Sequence, residues 1–170
     1  MITPDWVRMM ARYGAWQNGN QAGVVRELPE ADLRAERGAF FGSVLATLSH
    51  VVWGDRIWLC RWTDLPKPPG GIADSAGWLA TVEDWATMRA ETDAAMTAWA
   101  ARCAQAELDA DLTWHSGALG REVTKPMALC VTHMFNHGTH HRGQVHAMLT
   151  AMGAGVPDTD LFVMPDPDAA

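Results

Sequence analysis

The sequence lacks long apolar runs, paired cysteines and an excess of basic residues. No uninterrupted apolar stretch approaches the roughly 18 residues of a transmembrane helix, so we expect no contact with a membrane. The net charge of −7 argues against nucleic acid as a partner, because binding phosphates requires a basic surface. Cys60, Cys103 and Cys130 form no Cys-x-x-Cys pair, and the start of the chain does not resemble a signal peptide. These features predict a cytoplasmic protein with reduced, mostly buried thiols.

The length and composition favour one folded unit. The chain has 170 residues, 48% of them hydrophobic, which is enough for a full core, and we expect a single domain over 1–170. Long stretches follow the helical period, which predicts an all-α fold with four long helices.

The first predicted helix begins at Thr3-Pro4-Asp5, where a capping hydroxyl precedes proline and an acid. It should run to about Leu28, since Pro29 stops it. Its apolar stripe comprises Ile2, Trp6, Met9, Met10, Tyr13, Trp16, Asn20 and Val24. Gln17 and Asn20 are interpreted as ordinary boundary residues, with polar groups pointing into a pocket as the alternative.

The second predicted helix runs from a cap at Ser43 to about Trp62 and is apolar nearly all round, as in a buried helix. His50 lies within it. A single helical histidine is usually a satisfied core residue, but this one has few polar neighbours on its own helix. Gly54, one turn later, leaves space beside it for a metal or ligand.

The remaining connections are less regular. Residues 64–77 are rich in proline and glycine and predict a surface loop between the second and third helices. The third helix should begin between Ser75 and Thr81 and end near Ala106. Residues 111–125 indicate a weak hairpin or a long loop with His115 exposed. The tail at 161–164 is expected to be extended and packed on the body.

The fourth predicted helix opens at Pro126 and ends near Met152. His137 and His141 are four residues apart, which places both imidazoles on one helix face, one turn apart. Two such imidazoles can bind one divalent metal, although the spacing also occurs by chance on exposed helices. At about 100° per residue the same face carries Cys130, His133, His137, His141, Gln144 and Met148. A metal site needs a further ligand from elsewhere in the chain.

Taken together, His50 and the run His137-x-x-x-His141-Arg142-Gly143-Gln144 resemble the DinB-like family. Residues 13–18, Tyr-Gly-Ala-Trp-Gln-Asn, also match that family's first-helix pattern, and the resemblance covers nearly the whole chain. It implies an up-down four-helix bundle, often dimeric. It also implies a divalent metal, commonly zinc or nickel, held by His50, His137 and His141. Related members are thiol S-transferases and thiol-dependent isomerases that use mycothiol, bacillithiol or glutathione.

Three residues near this motif have open roles. His133, one turn before His137, is interpreted first as part of a pocket wall, then as a hydrogen-bonding partner of a ligand, then as a fourth ligand. Gln144 is a candidate partner that orients a ligand. Arg142 cannot share the ligand face, so we expect it to pair with an acid on a neighbouring helix; binding a substrate anion is the alternative.

Three neutral imidazoles would leave a metal its full charge and an open coordination position. That chemistry permits hydrolysis or thiol transfer. No glutamate adjoins either fourth-helix histidine, which favours transfer of a low-molecular-weight thiol to a small electrophile. A metal-dependent hydrolase, a non-catalytic metal-binding stress protein and a plain helical bundle remain alternatives. Nine tryptophans exceed what one small core readily hides and predict a homodimer.

Overall fold

The computed structural model describes residues 1–166 and is mostly helical. This range contains four long helices and two short ones, with a two-stranded hairpin between the fifth and the sixth, which confirms the mainly helical fold. The helices are α1 (Pro4–Arg26), α2 (Glu30–Arg34), α3 (Val44–Leu59), α4 (Val82–Arg102), α5 (Gln105–Asp109) and α6 (Met127–Ala151). None of the helices within 1–166 is long and apolar enough to cross a membrane.

Side-chain caps fix the beginnings of three long helices where the sequence predicted them. The hydroxyl of Thr3 accepts from the Trp6 amide, that of Ser43 from Ala46, and that of Thr81 from Asp84. Each cap satisfies an amide that the first helical turn leaves without a partner. Serine and threonine before an apolar stretch therefore located these starts correctly.

Two of the long helices, α3 and α4, end earlier than predicted. Helix α3 stops at Leu59 instead of near Trp62, and the chain continues in turns. Helix α4 stops at Arg102 because Cys103 adopts a non-helical backbone with ψ of 127°, and α5 follows as a separate helix. Residues 60–81 contain one 3-10 helix, Ser75–Gly77, between α3 and α4.

The buried face of α1 is not the predicted apolar stripe. Met9 is 36% exposed, whereas Gln17 is only 4% exposed and donates a hydrogen bond to the Asp158 carbonyl. The interpretation of Gln17 as a boundary residue was therefore wrong. Gln17, Asn18 and Gln21 each donate a hydrogen bond to the tail or to a neighbouring helix, which offsets part of the cost of burying them.

The region 111–126 is a hairpin. Strands β1 (Asp111–Ser116) and β2 (Arg121–Pro126) pair antiparallel, with Trp114 opposite Val123. His115 is exposed, as expected. The tail forms a 3-10 turn at Leu161–Val163, where Phe162 is 86% exposed. The expectation of a packed, extended tail at 161–164 was wrong there, because the tail contacts α1 further upstream, where Tyr13 donates to the Thr159 carbonyl.

Helix α3 packs on α6 and on α4, while α1 packs on α4 and on α6. Two apolar clusters fill the interior, one around Val7, Trp99 and Phe135, the other around Val25, Trp85 and Leu149. On each long helix, buried polar residues stand between the positions that belong to these clusters. We call this set the polar layer: Gln17, Asn18, Gln21, His50, Asp55, Arg56, Arg89, Thr92 and His141. The candidate ligands His50 and His141 lie in this layer, and His137, one turn before His141, is half-buried.

Candidate metal centre

His50 from α3 meets His137 and His141 from α6. One ring nitrogen from each imidazole lies within 4.8 Å of the other two. The closest pair is His50 Nε2 and His137 Nε2, 3.1 Å apart. Within residues 1–166 this is the group of three whose donor atoms converge in this way. We call it the histidine triad.

Ser75 fixes the tautomer of His50. The Ser75 hydroxyl donates its single proton to the Ile72 carbonyl at 2.6 Å, so toward His50 Nδ1, 2.8 Å away, it accepts. His50 Nδ1 therefore carries the proton, and Nε2 presents a lone pair toward His137. Phe41 stacks on the ring, with centroids 4.0 Å apart, and restricts its rotation.

Gln144 fixes His141 in the same way. Its Oε1 lies 2.7 Å from His141 Nδ1, while its Nε2 lies 3.3 Å from His140 Nε2. With the amide oxygen facing His141, Nδ1 of that ring is the donor and Nε2 is left free. The predicted orienting role of Gln144 is consistent with this contact.

His137 depends on a glycine opposite it. A Cβ atom at Gly54 would lie 2.8 Å from His137 Cε1, so only glycine at this position leaves room for the imidazole ring. The space beside Gly54 therefore holds an imidazole rather than a metal or substrate. His137 Nδ1 is buried and has no hydrogen-bond partner among the described residues.

Burial keeps the triad neutral. It lowers the pKa of His50 to about 3, with smaller contributions from His137 and His141. Burial, followed by the neighbouring histidines, lowers the pKa of His137 to about 4. The pKa of His141 is also lowered, mainly by burial. Neutral imidazoles are the form that binds metal.

The triad fits a divalent metal. Lone pairs of His50 and His141 are directed inward by their Nδ1 partners, and no carboxylate of the described chain completes the group. Two nitrogen ligands of a tetrahedral zinc ion stand about 3.3 Å apart, given bonds of about 2.0 Å. The observed 3.1 Å between His50 and His137 is close to that spacing.

A cavity of about 820 Å³ opens beside the triad. His50 and His137 form part of its wall, and the hairpin contributes the opposite side through Trp114 and His115. Its apolar wall is formed by Trp53, Ile57, Trp58, Ile72 and Trp114. A concave, largely apolar site of this size suits a small organic molecule.

The other predicted residues have varied outcomes. His133 lines the cavity, with its ring 5.9 Å from that of His137 and 5.2 Å from that of Trp58. Arg142 contacts no carboxylate within the described residues, so the predicted ion pair was wrong. Its guanidinium instead lies 5.7 Å from the Tyr13 ring, in room left by Gly138.

Sequence reasoning missed Ser75, Phe41 and the hairpin tryptophan Trp114. Ser75 lies in the irregular stretch after α3, where no periodic pattern indicates which side chain points inward. Alternation along β1 was the available signal for Trp114, but the hairpin itself was only weakly indicated. The triad residues themselves were all identified.

Comparisons with known proteins bear on the family and the fold of the chain. No curated protein matches the chain. A crystal structure of a DinB-like protein from Bacillus cereus ATCC 10987 is similar, with a TM-score of 0.56 and 17% sequence identity. That match covers 84% of this chain and 89% of the other, and it shows a shared fold. The DinB family profile matches residues 1–168, and the chain belongs to the DinB family.

Proposed function

We propose that this chain binds one divalent metal through His50, His137 and His141 and transfers a low-molecular-weight thiol to a small electrophile. The observation that carries the proposal is a buried, neutral triad beside a cavity of about 820 Å³. Neutral nitrogen donors suit zinc or nickel, and three of them leave a coordination position for a reactant. A metal bound there would lower the pKa of a thiol and supply a thiolate at neutral pH.

The protein's own residues supply orientation and exclude water. Ser75 and Gln144 hold His50 and His141 in the tautomer that leaves Nε2 free. Trp53, Trp58 and Trp114 provide apolar walls for an electrophile with little polar surface. The cavity wall contains no carboxylate among the described residues, so the carboxylate base that many metal-dependent hydrolases use has no counterpart there.

The test is a panel of mycothiol, bacillithiol and glutathione against chlorodinitrobenzene, with metal-loaded protein. In the reaction the sulfur attacks the ring carbon, a C–S bond forms, chloride leaves with the C–Cl electron pair, and the thiol proton goes to solvent. We expect one thiol to be consumed faster than in buffer, and His141→Ala to lose this activity. Turnover of an ester without any thiol would favour the hydrolase, and metal binding without either turnover the non-catalytic metal protein.

The wider expectations belong to the same proposal. We propose one domain over 1–170, of which 167–170 lie outside the described residues, arranged as an up-down four-helix bundle with a loop between the second and third long helices. A cytoplasmic location, a small-molecule substrate and no nucleic acid partner also remain predictions.

A homodimer is also proposed. Six of the nine tryptophans are only half-buried in the single chain, which supports an interface that covers some of them. Light scattering at micromolar concentration should give twice the 18.6 kDa chain mass; the monomer mass would contradict this.

A further inference from the structure

The charge of the cavity is opposite to that of the chain. The protein has 20 acidic and 13 basic residues, yet the cavity wall includes Arg61 and Lys67 and, among the described residues, no aspartate or glutamate. The imidazole of His133, also in the wall, has its pKa lowered by burial and by Arg61. Two cations without a counter-charge make this cavity attractive to an anion.

Arg61 is held rigidly in this wall. Its guanidinium carbon lies 3.9 Å from the centre of the Trp58 ring and 5.1 Å from that of Trp114. The two tryptophan rings contact each other edge to face, 5.3 Å apart. Stacking on aromatic rings fixes the plane of a guanidinium while leaving its N–H edges available in that plane.

Those edges are not used by the described protein. Arg61 forms no ion pair within residues 1–166, and its Nη1 is a buried donor without a hydrogen-bond partner there. Leaving a buried donor unpaired is unfavourable, so an unpaired guanidinium in a cavity wall favours the binding of a molecule that brings an acceptor. A planar fork of N–H groups matches a carboxylate in shape and charge.

We propose that Arg61 is a specificity-determining residue that binds a carboxylate of the molecule occupying the cavity. This rests on the proposed function only in taking the cavity as the reactant site. The rings of Trp58 and His133 separate Arg61 from His137, so a reactant that reaches both the guanidinium and the triad is extended. Either a thiol with a carboxylate, such as glutathione or bacillithiol, or a carboxylated electrophile has this chemistry.

The test measures binding to metal-loaded full-length protein by calorimetry, with each carboxylate probe paired with a partner whose carboxylates are esterified or amidated. S-methylglutathione and its diethyl ester test the thiol as the source, and chloronitrobenzoate and chloronitrobenzamide test the electrophile. We expect the carboxylate of one pair to bind at least about tenfold more tightly than its esterified or amidated partner. Arg61→Gln should reduce that ratio to about one. Arg121→Gln, an exposed change on the hairpin that carries Trp114 but outside the cavity wall, should leave it unchanged.

Equal binding in both pairs, no binding of either carboxylate, or a ratio that persists in folded Arg61→Gln would overturn the proposal. If Arg61→Gln does not fold, Arg61→Lys keeps the charge but not the fork and should lower the ratio several-fold. A purely structural role in holding the hairpin would weaken the carboxylate probes and their esterified or amidated partners alike. A protein that shows the Arg61-dependent ratio without thiol transfer would refute the proposed function and leave this inference standing.

Discussion

Two clusters are built around residues of the polar layer, and they differ in how their charges and lone pairs are balanced. In the first, which we call the ion-pair cluster, Arg89 lies between Asp55 and Asp93. Arg89 Nη1 donates to Asp55 Oδ2 at 2.6 Å, and Nη2 stands 2.7 Å from Asp93 Oδ1 without the alignment of a hydrogen bond. Burial opposes the charge, but Asp93 and Asp55 together raise the pKa of Arg89. The second cluster, the histidine triad, contains only bases.

The two clusters differ in whether opposite charges are present within them. Asn18 adds a hydrogen bond to Asp93, and the acids of the ion-pair cluster offset the charge of Arg89, although Arg89 Nε has no hydrogen-bond partner among the described residues. In the triad, Nδ1 of His50 and of His141 has a hydrogen-bond partner, while one ring nitrogen of each imidazole converges on the others with no carboxylate of the described chain in the group. The first arrangement is typical of a structural element, and the second offers nitrogen lone pairs that an added cation can bind.

The largest expected effect tests the triad. His141→Ala removes one donor from α6, and elemental analysis should show most of one equivalent of metal per chain gone. His146→Ala, on the same helix but outside the triad, should keep the full equivalent. Full retention of metal by His141→Ala would show that the triad does not bind it.

The next effect tests the ion-pair cluster. Asp55→Asn leaves Arg89, only 3% exposed, with one charged partner instead of two. We expect the free energy of unfolding in urea to fall by about 3 kcal/mol, since the attraction to Asp55 is lost while the cost of burying the Arg89 charge remains. Glu30→Gln breaks an exposed pair with Arg34 and should cost less than about 1 kcal/mol. Similar losses in the two variants would contradict the distinction between buried and exposed pairs.

The sequence predicted the triad better than it predicted the residues around it. His137 and His141 follow from helical spacing alone, because both lie on one regular element. His50 was a candidate from its place on a buried helix beside Gly54, but only the family resemblance assigned it as a ligand, since nothing local shows which helix faces α6. Ser75 could not be predicted, because the direction of its side chain depends on how residues 60–81 fold back onto α3.

Helix α1 shows the limit of apolar periodicity. A stripe through Met9 was predicted, but the buried face carries Gln17, Asn18 and Gln21, each of which donates a hydrogen bond to another part of the chain. Hydrophobic pattern cannot identify a buried polar face, because the partners that make burial tolerable are distant in sequence. The ion-pair cluster was missed for the same reason.

Ser75→Ala probes how the triad is oriented. Without the hydroxyl, His50 Nδ1 loses its acceptor and the ring can turn or change tautomer. Loss of such a partner typically lowers metal affinity by about 10- to 100-fold, which competition with a chelator would measure. Thr47→Val is the control. It removes a buried hydroxyl on α3 that donates to the Ser43 carbonyl and not to the triad, so it should leave the affinity unchanged. Equal affinities of Ser75→Ala and the wild type would mean that Ser75 does not orient the ligand.

Gly54→Ala tests the close approach of α3 to His137. The added methyl group would stand 2.8 Å from His137 Cε1, so the ring must move, and we expect metal affinity to fall by about tenfold. Gly143→Ala, in α6 with open space around it, should keep the affinity and stabilise the helix by about 0.5–1 kcal/mol. Unchanged affinity in Gly54→Ala would place the metal away from His137.

The smallest effect concerns pH in the metal-free protein. The pKa values of about 3 for His50 and about 4 for His137 lie below the ordinary 6.5. As the pH falls, the unfolded chain therefore binds protons at these imidazoles before the folded chain does. Stability is therefore fully present above about pH 6.5 and falls toward pH 4, by at most about 1.4 kcal/mol per pH unit for each imidazole. His137→Gln should show a shallower fall over the same range in urea titrations. Carboxylates titrate alike in both proteins, so the difference isolates the histidine, and identical slopes would mean that His137 is not held neutral by burial.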